Sequence, residues 1–237
     1  MKTTAVILAG GVGSRMHSDQ PKQFIEINGI PVIVRNIMNF QRSPRIDSVL
    51  IVCLKNWIPQ MKSLVKEFSL DKVRWIIEGG STGHDSTRNA IFFLRSQLSD
   101  DDFVIIHDAA RPLLPQKIIN SLLDVANANG NACASLPCHE TIIVTDNQKD
   151  GNSEIDRSRI RRIQTPQAYR FGLIYPVYQK AEADDRHDFI YANTCAIHYG
   201  VRIFFSEGFD NNIKITTKED LALYKSLLDF PEEDLVK

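Results

Sequence analysis

The sequence has few cysteines and lacks any long apolar run. Its four cysteines form no Cys-x-x-Cys pair and have no histidine at zinc-binding spacing, which argues against a disulfide scaffold and a zinc finger. No apolar stretch approaches the ~20 residues of a membrane-spanning helix, and the apolar run after Lys2 is too short for a signal peptide. We therefore expect a reduced, cytoplasmic protein whose cysteines are small core residues.

The chain also lacks an excess of charge of either sign. Its formal net charge is −1, so nothing predicts bulk attraction to nucleic acid or to an anionic membrane, and any cationic site must be local. Hydrophobic residues make up 43% and charged residues 24% of the 237 residues, as in an ordinary globular protein with a sizeable core. A single α/β domain with an appendage is the expectation.

A glycine-rich stretch near the N-terminus carries the strongest functional signal. The apolar run over residues 5–9 predicts a buried strand, and three glycines follow it closely. They are Gly10, Gly11 and Gly13. Backbone N–H groups in such a loop can wrap an anion, and Arg15 and Lys22 bring two cations to the same place. The stretch predicts a phosphate site, and an ordinary glycine turn with two surface cations is the alternative.

Two better-known phosphate loops do not match this stretch. A P-loop ends in Gly-Lys-Ser/Thr, and no lysine follows these glycines directly. A dinucleotide-binding loop has Gly-x-Gly-x-x-Gly at the start of a helix, but Met16 stands at the third glycine position and Pro21 follows. Any phosphate loop here is therefore of another type.

Strands and helices alternate through the first 130 residues. The predicted strands span 5–9, 48–53, 73–77 and 103–106, and the predicted helices span 31–41, 58–68, 86–98 and 115–128. This order favours a Rossmann-like α/β fold, a mostly parallel sheet with helices on both faces. Because ligands bind beyond the carboxyl ends of such strands, residues 10–15, 79–86 and 107–112 are predicted to meet at one edge.

The alternation breaks after a strand at 132–136. Residues 141–145 are predicted as a strand and residues 159–164 as a returning strand, which together indicate a β-hairpin that projects from the sheet. Because two-stranded hairpins are marginal alone, we expect residues 137–163 to be a dimerisation arm. The remaining predicted elements are a helix at 171–183, strands at 201–206 and 212–216, and a closing helix that begins with a capping box at Thr217. Residues 1–230 are predicted as one domain and 231–237 as a tail.

Two acidic residues could hold a metal ion near this edge. Asp108 follows the fourth strand directly, where a carboxylate facing a phosphate would suit Mg²⁺; a turn cap or an ion pair with Arg111 is the alternative. Asp210 and Lys214 offer a second carboxylate and a cation, against the alternative of a solvated turn and a surface lysine. No serine or cysteine has the surroundings of a nucleophile, so chemistry here would rest on positioning and charge stabilisation.

Several short motifs, taken in order, resemble one family. They are LAGGVGSRM with PKQF, GGS with Ser86, HDAARP, TPQ, and NNIKITTKEDLAL. These look like the cytidylyltransferases that attach CMP to sugar-alcohol phosphates, either methylerythritol 4-phosphate or ribitol 5-phosphate. The resemblance runs from Ala5 to about Leu228 and implies a nucleotidyltransferase-type fold and CTP-dependent chemistry.

The resemblance also implies roles for individual residues. Arg15, Lys22 and Lys214 would be the catalytic cations, and Asp108 with Asp210 would hold Mg²⁺. The residues implied for CTP binding are Ala9, Gly10, Gly11, Gly13, Gly80, Ser86, Asp108 and Ala109. Those implied for acceptor binding are Thr141, Arg157 and Thr165. Arg157 would be delivered by the hairpin arm, exchanged across a homodimer.

The implied reaction is a direct in-line displacement. A phosphate oxygen of the polyol phosphate attacks the α-phosphorus of CTP, and pyrophosphate leaves. Two anions must approach one another, which is the physical reason for several cations and a metal ion in one cleft.

The chain departs from the family pattern at two places. Gly83 stands where both types usually carry an arginine, and Arg88 follows five residues later. The Thr-Asp-Glu-Ala signature of the isoprenoid enzymes is missing from HDFIYANTCAIHYG, which favours a ribitol-type acceptor, whereas HDAARP and EDLAL favour the methylerythritol type. Both acceptors stay open. Two alternatives are a nucleotide-binding module without catalysis, motivated by Gly83, and a sugar-1-phosphate nucleotidylyltransferase that uses UTP or GTP.

Overall fold

The computed structural model describes residues 1–11 and 20–230. Their strands are β1 (Thr3–Ala9), β2 (Glu26–Ile27), β3 (Ile30–Pro31), β4 (Ser48–Cys53), β5 (Val73–Glu78), β6 (Phe103–Asp108), β7 (Asn131–Pro137), β8 (Ile142–Val144), β9 (Ser153–Ile155), β10 (Arg161–Arg170) and β11 (Phe205–Glu207). Their α-helices are α1 (Val32–Arg42), α2 (Ile58–Glu67), α3 (Gly83–Leu94), α4 (Gln116–Asn129), α5 (Phe171–Ala183), α6 (Ala192–His198) and α7 (Lys218–Leu227). No helix in the described ranges is long and apolar enough to cross a bilayer.

The central sheet is mostly parallel. Its strand order is β11-β7-β10-β6-β1-β4-β5, and the pairs of β1 with β4 and β6, of β4 with β5 and of β7 with β11 are parallel. Only β10 among these described strands runs antiparallel to its neighbours, β6 and β7. Every residue of β4 and β6 is buried, as continuous apolar strands are when both faces of a sheet are covered.

Helices cover both faces of this sheet. Because successive side chains of a strand point to opposite faces, Ala5 and Ile7 of β1 pack in one core with apolar residues of α1, α2 and α4, while Val6 packs in the other with α3 and α5. The predicted fold class is therefore confirmed. The four cysteines are all buried and unpaired.

The strand registers align the carboxyl ends of the central strands. Ala9 at the end of β1 pairs with Cys53, which in turn pairs with Glu78 at the end of β5. On the other side of β1, Leu8 pairs with Asp108 at the end of β6. The loops that follow β1, β5 and β6 therefore lie at one edge of the sheet, as predicted.

The hairpin differs from its prediction in the position of the returning strand. It consists of β8 and β9, which pair only with each other, so the return is at Ser153–Ile155 and not at residues 159–164. Residues from Arg161 onward belong to β10 in the central sheet, and the assignment of residues 137–163 as a dimerisation arm stays a prediction. The sequence does not show that β10 is one long strand, because Pro166 interrupts its pattern. The pairing of β10 with β7 shifts register between Ile163 and Gln167, and this shift accommodates the proline.

The two late strands were also predicted imperfectly. Of residues 201–206, only the last two belong to a strand, β11. The described residues 212–216 form no strand; they run beside the loop after β6, where Ile215 N donates to Ala110 O at 2.8 Å. The closing helix begins as predicted, with Asp220 N donating to Thr217 Oγ1 at 3.3 Å in a capping box.

Candidate active site

A cavity of about 390 Å³ opens at the carboxyl edge of the sheet. It is bordered by the ends of β1 and β6, the loop between β5 and α3, and the segment before α7. The predicted site residues that line it are Ala9, Gly10, Gly11, Lys22, Gly80, Ser86, Asp108, Ala109 and Lys214. Gly13 and Arg15 lie outside the described residues. The structure thus brings together residues from five separate stretches of the chain, and their individual roles stay predictions.

Close contacts with the first turn of α3 explain why two of the residues in this cavity are glycines. A Cβ atom at Gly80 would lie 2.1 Å from the Cβ atom of Asp85, and one at Gly10 would lie 3.1 Å from Ser86 Oγ. Ser86 Oγ in turn accepts a hydrogen bond from Gly80 N at 3.1 Å. The absence of a side chain at Gly10 therefore lets the glycine loop approach Ser86 in the first turn of α3, and its absence at Gly80 lets the chain turn closely into the same helix.

Gln23 fixes the backbone of the glycine loop. Its buried side chain donates from Nε2 to Ala9 O at 2.6 Å and to Gly11 O at 3.1 Å. Sequence reasoning assigned no role to this residue, although it stands beside Lys22 in the PKQF motif. These two bonds hold the backbone at Ala9 and Gly11, which border the cavity.

An ion pair lies inside the cavity. Lys214 Nζ is 2.9 Å from Asp108 Oδ2, and the two side chains are 32% and 13% exposed. Arg111 Nε approaches the same oxygen at 3.7 Å. Burial opposes ionisation of Asp108, yet Lys214 and Arg111 hold the pKa of this carboxyl below its usual range. Burial likewise opposes the charge on Lys214, but Asp108 raises the pKa of its ammonium group, so both groups are ionised.

Buried polar contacts hold the loop that carries Asp108. Asn36 Nδ2 donates to Asp108 O and to Arg111 O, each at 3.1 Å. Asp108 N donates to Thr165 Oγ1 at 3.1 Å, and Arg111 donates to Asn212 O at 2.6 Å. Asn36 lies on the buried, otherwise apolar face of α1, where a polar residue is the available sequence signal of a buried contact. The carboxylate therefore stands on a rigid support.

His107 has a structural role beneath this loop. It is fully buried, and its Nε2 lies 3.0 Å from Arg111 O. Burial lowers the pKa of His107 to about 4, so the ring is neutral and donates to that carbonyl.

A second compartment of about 130 Å³ adjoins the cavity. Leu8, Gly83, Asp108 and Lys214 border both spaces. The compartment also contains Thr165, together with residues that sequence reasoning did not assign to a site, which are Thr87, Ile106, Gln167, Ile190, Tyr191 and Ala192. The Lys214–Asp108 pair therefore stands at the junction of two spaces.

Three predicted site residues lie away from this cavity. Thr141 and Arg157 are exposed near the hairpin, and Arg157 donates to His139 O at 2.8 Å. Asp210 is also exposed, and its Oδ1 pairs with Arg162 at 3.0 Å. Among residues 1–11 and 20–230, no cluster of three or more His, Cys, Asp or Glu side chains could hold a metal ion by itself. Asp108 is thus the predicted metal ligand that faces the cavity, and the role of Asp210 stays a prediction.

Arg88 does not replace the arginine that both enzyme types usually carry at the position of Gly83. It points to the other side of α3, where it contacts Glu182 at 3.1 Å and His187 at 3.3 Å. The position of Gly83 is open, because a Cβ atom there would find Ile190 O as its nearest neighbour at 4.0 Å.

A mostly parallel sheet whose carboxyl edge carries a glycine-lined, lysine-bearing cavity is the architecture of a nucleotidyltransferase. The chain belongs to the IspD family, because the family model for 2-C-methyl-D-erythritol 4-phosphate cytidylyltransferase matches residues 3–229. The predicted resemblance and the enzyme class, a CTP-dependent cytidylyltransferase, are therefore confirmed.

Relatives of both acceptor types are similar to this chain. A ribitol-5-phosphate cytidylyltransferase from Lacticaseibacillus paracasei is 40% identical over 227 residues, which cover 95% of this chain and 97% of that protein. A 2-C-methyl-D-erythritol 4-phosphate cytidylyltransferase from Syntrophus aciditrophicus is 35% identical over 228 residues, with 96% of both chains covered. These relatives do not favour the non-catalytic module or the enzyme for sugar 1-phosphates.

Solved structures agree on the fold. A crystal structure of 4-diphosphocytidyl-2C-methyl-D-erythritol synthase matches with a TM-score of 0.80 at 25% identity, over 96% of this chain and 98% of the other. The same enzyme from Anaerococcus prevotii matches with a TM-score of 0.83 at 24% identity, over 97% and 96% of the two chains.

Proposed function

We propose that this chain transfers CMP from CTP to ribitol 5-phosphate, with release of pyrophosphate and formation of CDP-ribitol. The observation that carries this proposal is the position of Lys214 and Asp108 at the junction of the glycine-lined cavity and the compartment that contains Thr165. The 40% identity with a ribitol-5-phosphate cytidylyltransferase supports the acceptor. Methylerythritol 4-phosphate is the second candidate, since the family model carries its name.

In the proposed reaction, the triphosphate lies in the larger cavity against the N–H groups of Gly10 and Gly11. An oxygen of the acceptor phosphate forms a bond with the α-phosphorus as the bond to the bridging oxygen of pyrophosphate breaks. Lys22 and Lys214 reduce the repulsion between the two anions and stabilise the charge of the transition state. Thr165, which borders the smaller compartment, would contact the acceptor.

A divalent metal ion accompanies the nucleotide in nucleotidyltransferases, and we propose Mg²⁺ here. Mg²⁺ is commonly bound by one or two carboxylates together with substrate phosphates, and the donor set fits this pattern, because Asp108 is a rigidly held carboxylate that faces the cavity. The ion would neutralise charge on the phosphates. Asp210 would need to leave Arg162 to act as a second ligand.

We further propose that the chain acts as a homodimer in the cytoplasm. The hairpin exposes apolar side chains, with Ile143 at 56%, Val144 at 44% and Ile155 at 38% exposure, which a second subunit would cover. Arg157 and Thr141 would then reach the acceptor in the partner's cavity rather than in their own. Four buried, unpaired cysteines suit a reducing compartment.

The proposal is tested by pyrophosphate release with CTP and Mg²⁺, measured in parallel with ribitol 5-phosphate and methylerythritol 4-phosphate. We expect turnover with ribitol 5-phosphate and little with the other acceptor. A preference for methylerythritol 4-phosphate would make that compound the acceptor. CTP binding without turnover of either acceptor would contradict the proposed function.

A further inference from the structure

Lys214 has a second neighbour besides Asp108, and that neighbour is aromatic. Its Nζ lies 3.4 Å from Tyr191 Oη and 5.3 Å from the centroid of the Tyr191 ring. The ammonium group therefore donates to the phenol oxygen at the hydroxyl edge of the ring, and the ring itself lies within the distance at which an aromatic group attracts a cation. Tyr191 and Lys214 both border the smaller compartment.

The two neighbours of Lys214 are not equivalent during the proposed reaction. Asp108 cannot give its full charge to Lys214 and also hold a metal ion, because both would use the same carboxylate. Tyr191 has no such competing role. If a cation takes Asp108, the aromatic ring remains as a partner that keeps the ammonium group at the junction.

We propose that Tyr191 is a positioning residue, which holds the Lys214 ammonium at the junction of the two spaces so that it can contact the triphosphate. This inference rests on the proposed function for its ligand, CTP. It assigns a role to the segment in which the Thr-Asp-Glu-Ala signature is missing.

The backbone of Tyr191 is anchored firmly enough for this role. The next residues begin α6, where Asn193 N donates to Gln167 Oε1 at 3.2 Å and Gln167 Nε2 donates to Asn193 Oδ1 at 3.1 Å. Tyr169 Oη also donates to Gln167 Oε1 at 2.9 Å, and all three of these side chains are buried. Thr194 Oγ1 donates to Tyr191 O at 2.7 Å. A satisfied buried network therefore fixes the start of α6 to β10.

A double-mutant cycle on CTP affinity tests the proposal. The variants are Tyr191→Leu, Lys214→Ala and their combination, with calorimetric Kd values for CTP measured with Mg²⁺. We expect Tyr191→Leu to weaken CTP binding by about fivefold, and by less than about twofold when Lys214 is already alanine. Tyr191→Phe, which keeps the ring, should stay within about threefold of the wild type.

Controls separate this role from a general effect on α6. Ile197→Ala removes an exposed apolar side chain from the same helix and should leave the Kd unchanged. Thermal unfolding of each variant shows whether it is folded, and Tyr191→Ala takes the place of Tyr191→Leu in the cycle if Tyr191→Leu does not fold.

Two outcomes would overturn the proposal. Tyr191→Leu could weaken CTP binding equally in both backgrounds, or Lys214→Ala could leave CTP affinity unchanged. The cycle needs no acceptor, so failure to use ribitol 5-phosphate would refute the proposed function while leaving this measurement intact.

Discussion

Lys214 and Asp108, which are 106 positions apart in the sequence, meet at 2.9 Å where the two spaces of the site join. Both groups are ionised. In the proposed reaction, Lys214 would contact phosphate and Asp108 would bind a metal ion. Substrate phosphate and the metal ion would thus replace this contact with two new ones.

Replacement of Asp108 should have opposite effects on CTP binding without metal and on turnover with Mg²⁺. Asp108→Asn removes a negative charge from the triphosphate cavity and frees Lys214, so CTP should bind several-fold more tightly in the presence of EDTA. Turnover with Mg²⁺ should fall about 100-fold or more, because the proposed metal ligand is lost. Calorimetry with EDTA and pyrophosphate release with Mg²⁺ measure the two effects.

The matched control for this change is Asp124→Asn, which alters an exposed ion pair with Arg45 on the surface. It should leave both quantities as in the wild type. Weaker CTP binding by Asp108→Asn in EDTA would show that the carboxylate does not oppose the triphosphate.

Truncation of Gln23 should affect the glycine loop. Gln23→Ala leaves the Ala9 carbonyl without its partner, so we expect the KM for CTP to rise and the free energy of unfolding to fall by about 1–2 kcal/mol. Gln97→Ala, on the exposed surface, should change neither value. An unchanged KM in Gln23→Ala, with the stability loss present, would mean that the loop is not part of the CTP site.

His107 should make the protein less stable in mild acid. Its pKa is lowered to about 4 in the folded state, so between its unfolded value near 6.5 and pH 4 the unfolded chain binds the extra proton. Stability should therefore fall as the pH falls through this window, by about 3 kcal/mol in total for this residue.

Urea unfolding at several pH values measures this effect. His107→Gln keeps a donor for Arg111 O but does not titrate, and it should show a correspondingly smaller loss between pH 6.5 and 4. Parallel curves for His107→Gln and the wild type would contradict the assignment.

Arg157 should act in the partner's site. Arg157→Ala and Lys214→Ala should each be nearly inactive alone, but a mixed dimer has one site with both residues intact. After subunits are exchanged, an equal mixture should recover roughly a quarter of the wild-type rate, since half the dimers are mixed and each has one working site. Activity that does not recover although mixed dimers form would indicate that Arg157 does not act across the dimer.

The sheet edge was predictable because its signals are local. The strand ending at Ala9, the glycines and the HDAARP motif each stand in continuous sequence, and parallel topology brings such loops to one edge. The long strand β10 was less predictable, because Pro166 breaks its pattern and only pairing on both sides shows that it is central.

The contacts that hold the site residues in place could be identified only from the structure. Asn36 reaches across 72 positions to Asp108 O, and a polar residue on an apolar helix face does not reveal its partner. Tyr191 meets Lys214 only because α6 is anchored to β10. Such contacts depend on how separate elements pack, which neither periodicity nor spacing encodes.

³¹P NMR of a competition reaction can show whether CMP passes from CTP to a pentitol phosphate. The purified protein, CTP and Mg²⁺ would be combined with equal amounts of ribitol 5-phosphate and methylerythritol 4-phosphate. We predict that pyrophosphate and the diphosphate resonances of CDP-ribitol appear together as ribitol 5-phosphate is consumed. Consumption of methylerythritol 4-phosphate alone, or CTP left intact beside both acceptors, would contradict the account.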